Sequence, residues 1–364
     1  MRKTHLSCLA LLSAITLASP AFAAGAADSL KAGKAELRSA GRLAFGPDGV
    51  LFVGDSLGAS IVALDTGDTT PAAQAAAIDM TGIDGKVAGL LGTTADKILI
   101  NAIAVNPISK NAYISVSRGR GPDATPVIVR TAAGGKLEML SLDNIKNARV
   151  SLPNTVAGEG NADQRKRMDA ITDIAFTNGK VVVAGLSNEE FSSNLRMISY
   201  PFTSAERGAS AEIFHGSHGG FETNSPIRTF MTYKINGEDV VLAAYTCTPL
   251  VVFKSADLKP GNKVKGKTIA ELGAGNRPLD MFAYKKNGAD YILMNNSSRG
   301  VMKISAAKLE SYPAITKPTD ITGVPYETVK SLNGIEHIVA LDDTHALALV
   351  KTSAGQDLKS VALP

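Results

Sequence analysis

Residues 41–66 read GRLAFGPDGVLFVGDSLGASIVALDT, and this stretch decides the fold. Three short apolar runs, 43–45, 50–53 and 61–64, are separated by Pro47-Asp48-Gly49 and by a loop of Gly and Ser. Pro presets φ at the first turn position and Gly accepts positive φ, so the chain reverses tightly and the runs become antiparallel neighbours.

The same unit recurs five times. Its later copies begin at Asn101, Thr172, Arg228, Asp280 and Glu336, each preceded by an aliphatic residue: Ile100, Ile171, Ile227, Leu279 and Ile335. A turn and a second apolar run follow, with turns at Lys110-Asn111, Asn178-Gly179, Asn236-Gly237, Asn287-Gly288 and Asp342-Asp343. Asn-Gly is the strongest short-range hairpin signal. Six such units around an axis predict an all-β chain, a six-bladed β-propeller. A seventh blade would have to lie in 140–161, which lacks alternation and a hairpin turn. The last repeat has room for three strands only. The N-terminal segment, extended at 35–40, is therefore expected to supply the outer strand of the last blade and close the ring, which removes exposed sheet edges. A short surface helix is expected within 85–97.

At 364 residues and 45% hydrophobic composition the chain can bury a large core, and the repeat argues for one domain over 24–364. A net charge of +4 with no basic cluster on a helix excludes nucleic acid as an expected partner. Residues 1–23 combine Arg2 and Lys3, an apolar run at 9–17, and small residues at Ala21 and Ala23. That is a secretory signal peptide, and no later run is long enough to span a membrane. The expectation is an exported, periplasmic monomer. Cys8 leaves with the leader, so Cys247 is the single thiol of the mature chain.

Strand direction alternates within a blade, so the starts of first strands and the ends of second and fourth strands open on one face. That face collects the unusual residues, as expected of loops positioned by a rigid scaffold. The most loaded piece is 215–222, HGSHGGFE, in which His215 and His218 could ligate one metal, with Cys247 and Tyr245 of the same blade able to reach the same rim. The bland alternative is two surface imidazoles and a packed thiol; a catalytic thiolate is the third reading of Cys247. Asn101, Asp173, Asp280 and Glu336 come from separate blades and point down the central channel, where oxygen ligands suit Ca²⁺. They could equally neutralise one another, and Arg228 in the same ring would repel a cation unless paired. Arg118, Arg120, Arg228, Arg277 and Arg299, with Asn295, could receive a small anionic molecule or an acidic protein partner. Arginines in such loops also anchor backbone carbonyls.

Residues 45–55, FGPDGVLFVGD, resemble a blade of the gluconolactonase and strictosidine-synthase-like propellers and of related NHL-type repeats. The resemblance implies a divalent cation in the channel and hydrolysis of a lactone or ester. Asn101, Asp280 and Glu336 are the positions that could take part, Asp280 or Glu336 activating water beside a metal that polarises the carbonyl. The chain has no Trp, which speaks against a quinone-cofactor propeller. Two rivals stand beside this metal-dependent hydrolase: a non-catalytic propeller that docks a periplasmic protein, and a redox enzyme with copper at the His/Cys/Tyr cluster, whose His/Cys loop also suits zinc.

Overall fold

Each of the six repeats folds into its own small, mainly antiparallel sheet. The computed structural model describes residues 25–72, 74–121, 123–132, 135–157 and 166–364; the leader expected at 1–23 lies outside them. All three Asn-Gly turns have positive φ at both residues, for example 47° at Asn178 and 72° at Gly179, the type I′ geometry that matches strand twist. The first repeat turns in the same way through Asp48 and Gly49, at 56° and 71°.

The second strand of each repeat is sandwiched by neighbouring blades, which explains the continuous apolar runs. Every residue of the strand Val50–Asp55 is buried. Six apolar clusters fill the spaces between blades. Leu51 and Val53 pack with Tyr113 and Ile128 of the second repeat, while Phe52 and Ile61 pack with Ile174 and Val183 of the third. The second repeat, through Ile98 and Ile103, also packs on Leu347 and Leu349 of the sixth. The remaining clusters join third to fourth, fourth to fifth and fifth to sixth. The ring is closed, and the molecule is a six-bladed β-propeller.

Its blades are not in chain order, because the second repeat lies between the sixth and the first. After the strand Ser60–Asp65 the chain crosses to the sixth blade and lays Asp79–Met80 against Leu358–Lys359. The helix Ile83–Leu90 follows and buries Ile83 and Val87. The second repeat then forms, and the chain returns as Ile145–Ser151 to become the fourth strand of the first blade. This corrects two expectations. The last blade is closed by Asp79–Met80, since the connection to a second repeat seated beside that blade must pass over it. The N-terminal strand Lys31–Gly33 is instead an outer fifth strand of the first blade, paired with Ile145–Asn147. No seventh blade forms among the described residues, because 145–151 belongs to the first.

Candidate metal centre and the plugged channel

The strand Ala209–His215 turns through Gly219, at φ 71°, into Gly220–Glu222. The register pairs His215 with Gly220 and Ile213 with Glu222. Residues two apart on a strand share a face, so Glu222 sits diagonally across from His215 on the same side. One carboxylate thereby meets two imidazoles: His215 Nδ1 lies 3.0 Å from Glu222 Oε2 and His218 Nδ1 lies 2.5 Å from Oε1. Ser225 Oγ donates a further hydrogen bond to Oε2. Burial would raise the Glu222 carboxyl, but its three partners outweigh that and hold it below its usual range. Desolvation lowers His215, which favours the neutral imidazole that a metal requires.

The third member arrives from the neighbouring blade, in the turn after the strand Glu238–Tyr245. Cys247 and Thr248 both have positive φ, 62° and 58°, a conformation that costs about 1–3 kcal/mol per residue when the side chain is not glycine. Surrounding structure enforces it: Cys247 N donates to Asn276 O at 2.6 Å, and Thr248 Oγ1 donates to Gly273 O at 3.0 Å. Ligand atoms of His215, His218 and Cys247 all fall within 4.8 Å of one another. His215 is 1% exposed, and its contact with Glu222 is close without the alignment of a hydrogen bond. Its Nε2 is buried with no partner among the described residues.

Two more buried groups complete the surroundings. Tyr245 Oη has no hydrogen-bond partner among the described residues, and burial pushes its phenol up. Glu271 accepts from Gly216 N at 2.6 Å through Oε1, while its other oxygen is unpartnered among the described residues. Burial pushes this carboxyl up to about 7, against the opposing pull of the Gly216 N–H.

On the axis two of the residues expected to ligate a cation, Asp173 and Asp280, flank a guanidinium. Arg42 Nη1 lies 2.6 Å from Asp280 Oδ1, and Arg42 also donates to the carbonyls of Leu279 and Thr172. Asp173 is 3.9 Å from Arg42 and accepts from Thr229 Oγ1 and Phe230 N. Burial would raise Asp280, but His337 and Arg42 bring it down to about 2. Burial would lower Arg42, but Asp173 and Asp280 push it up. Asn101 turns its amide to Ala40 O and Ser117 Oγ, and Glu336 accepts from Gln356 Nε2. These four residues are therefore each engaged by protein groups, with Arg42 in the position that a channel cation would need.

The arginines divide by partner. Arg228 pairs with Asp169 at 2.8 Å and donates to Thr246 Oγ1. Arg120 and Arg299 reach the carbonyls of Asp96 and Ala274, and the Asn295 amide reaches Ile335 O. Arg118 and Arg277 are exposed. Glu222, Glu271 and Arg42 escaped selection from sequence. Glu222 had a signal, since it lies in the same Gly-rich stretch as the two histidines. Nothing local marks Glu271 as facing that stretch.

The fold and cluster define a six-bladed propeller with a two-imidazole, one-thiol site on one face. No protein-family model matches the chain, and no curated protein matches it in sequence. Among solved structures it is similar to a PQQ-bound aldose sugar dehydrogenase from Streptomyces coelicolor, at 10% identity over 92% of this chain and 96% of that one, with a TM-score of 0.30. A putative oxidoreductase (glucose dehydrogenase) from Thermus thermophilus matches at 11% identity, 91% and 100% coverage and a TM-score of 0.34. Hydrazine synthase of Kuenenia stuttgartiensis matches at 12%, 91% and 98%, with 0.35. Likeness at these scores says nothing of chemistry, and the fold stands on its own strand pairing. No helix among the described residues is long and apolar enough to cross a membrane.

Proposed function

We propose that this chain is a metal-binding propeller in which His215, His218 and Cys247 hold one soft transition-metal ion, copper before zinc. The convergence of three ligand atoms within 4.8 Å from two blades carries this reading. Glu222 supports it. A carboxylate that takes the Nδ1 of a histidine fixes its tautomer and leaves Nε2 to the metal, as Glu222 does for His218, and the same carboxylate lies 3.0 Å from His215 Nδ1. Two imidazoles and a thiolate form the trigonal set of copper electron-transfer sites, and the same donors also suit zinc. A left-handed cysteine held by its neighbours fits a site whose geometry is imposed by the protein.

Hydrolysis of a lactone or ester remains the catalytic alternative at this metal. It is the weaker one, because Asp280 is engaged by Arg42, His337 and Ile338 N, and Glu336 by Gln356. Exposed Arg118 and Arg277 would be the first contacts for an anionic ligand or an acidic partner protein. The leader at 1–23 supports action outside the cytoplasm, in the periplasm.

Metal analysis of the purified chain tests the proposal. One copper or zinc per chain is expected, lost in His215→Ala and in Cys247→Ser. An intense visible sulfur-to-copper band on adding Cu(II) selects copper, and its absence with tight zinc selects zinc. Failure to retain either ion at stoichiometric level overturns the reading.

A further inference from the structure

On the same face of the ring, apart from the residues of the metal cluster, an open cavity of about 470 Å³ lies among the second, fifth and sixth blades. That volume lies in the range of small-molecule pockets, about 300–1,000 Å³. Its apolar wall is Leu99, Ile100, Leu279 and Ile335. Leu99 is 47% exposed, an unusual placement for leucine on a first strand whose neighbours are buried.

The polar wall holds three groups of different character. Glu336 accepts Gln356 Nε2 on one oxygen and keeps the other. Lys351 has no carboxylate partner among the described residues. His337 is fixed from behind: its Nδ1 is 3.2 Å from Asp280 Oδ2, and Asp280 is in turn pinned by Arg42 and by Ile338 N at 3.1 Å. Asp280 holds Nδ1, and no hydrogen bond among the described residues takes Nε2. The cavity thus offers one anion, one cation, an imidazole edge and an aliphatic surface.

We infer that this cavity binds a small zwitterion with an aliphatic body, the chemistry of an aliphatic α-amino acid. The ammonium meets Glu336, the carboxylate meets Lys351, and the side chain covers Leu99, Ile100 and Ile335. A plain carboxylate would bring its charge against Glu336, and a plain amine would bring its charge against Lys351, so each lacks a partner that the zwitterion supplies. Charged hydrogen bonds left unmade in a partly buried pocket weaken binding by about tenfold or more.

Calorimetric titration of the purified chain with L-leucine, 4-methylpentanoate and 3-methylbutylamine tests the inference. Leucine is expected to bind saturably, one per chain, with both analogues about tenfold weaker or worse. Glu336→Gln should erase the preference for leucine over 4-methylpentanoate, and Lys351→Met the preference over 3-methylbutylamine. Both variants alter solvent-accessible side chains, and an unchanged Tm checks that they fold. Cys247→Ser, which removes the proposed metal ligand, should leave leucine binding intact, so the two sites fail separately. No saturable leucine binding, equal binding of the analogues, or undiminished discrimination in both variants overturns it.

Discussion

Arg42 and Asp280, 238 residues apart in the chain, meet at 2.6 Å on the axis of the ring. Asp280 is buried and Arg42 largely so, and removing one strips the other of its shortest charged partner, at a cost of up to about 3–5 kcal/mol. Arg42→Met and Asp280→Asn should each lower the unfolding free energy measured in urea toward that order. The double substitution should cost clearly less than the sum. Single variants within about 1 kcal/mol of wild type would mean that the pair does not hold the blades. The pH dependence has a fixed sign. Asp280 is held down to about 2 from an ordinary 3.8, so its contribution is present above pH 3.8 and is lost as pH falls through about 2. Asp280→Asn should flatten that acid limb.

This pair also marks the limit of what the sequence reveals. Hairpins are local, and Asn178-Gly179, Asn236-Gly237 and Asn287-Gly288 specify their own backbone, so six sheets were readable. The order of blades is not local. Tyr113 of the second repeat packs edge-on to Phe45 of the first at 5.0 Å between ring centroids, and nothing in 66–97 shows that the chain must first visit the sixth blade. The convergence of His215 and Cys247 was legible because His215 ends a fourth strand and Cys247 follows a second strand of the next blade. Strand direction alone then brings them to one face. The plug was not legible, because a guanidinium filling a channel depends on the closed ring, although Arg42 heads its repeat in plain sight.

Glu271 sets an opposite pH limb. Its carboxyl is raised to about 7 from an ordinary 4.5, so the folded chain keeps a proton that the unfolded chain releases. The contribution is full below pH 4.5 and is lost as pH rises through about 7. In chelator-treated protein, Glu271→Gln retains an acceptor for Gly216 N and removes the titration. It should be more stable than wild type at pH 8, by about 2 kcal/mol, and near parity at pH 4.5. Parallel wild-type and variant profiles in urea would show that Glu271 ionises normally.

Glu222 acts on the metal through the rings it holds. Glu222→Gln keeps the shape but removes the anion that holds His218 Nδ1 and lies against His215. Metal affinity should fall about 10–100-fold, measured by competition with a chelator, while one ion per chain is still bound at saturation. His218→Ala should weaken binding further, since it deletes a ligand atom. An unchanged affinity in Glu222→Gln would show that the carboxylate only caps the hairpin.

Cys247 separates stability from function. Its φ of 62° belongs to glycine, and the strain is maintained by Asn276 O and by Thr248 next to it. If the conformation exists to present the thiol, replacing the residue should relieve the metal-free protein while ruining the site. Cys247→Gly is expected to stabilise the chelator-treated chain by about 1 kcal/mol and to abolish metal binding. Cys247→Ser keeps the strain and should lose the metal without the gain. The contrast between the two variants in a single thermal melt identifies the strain as the cost of the ligand. If glycine destabilises the metal-free chain instead, the thiol is there for packing.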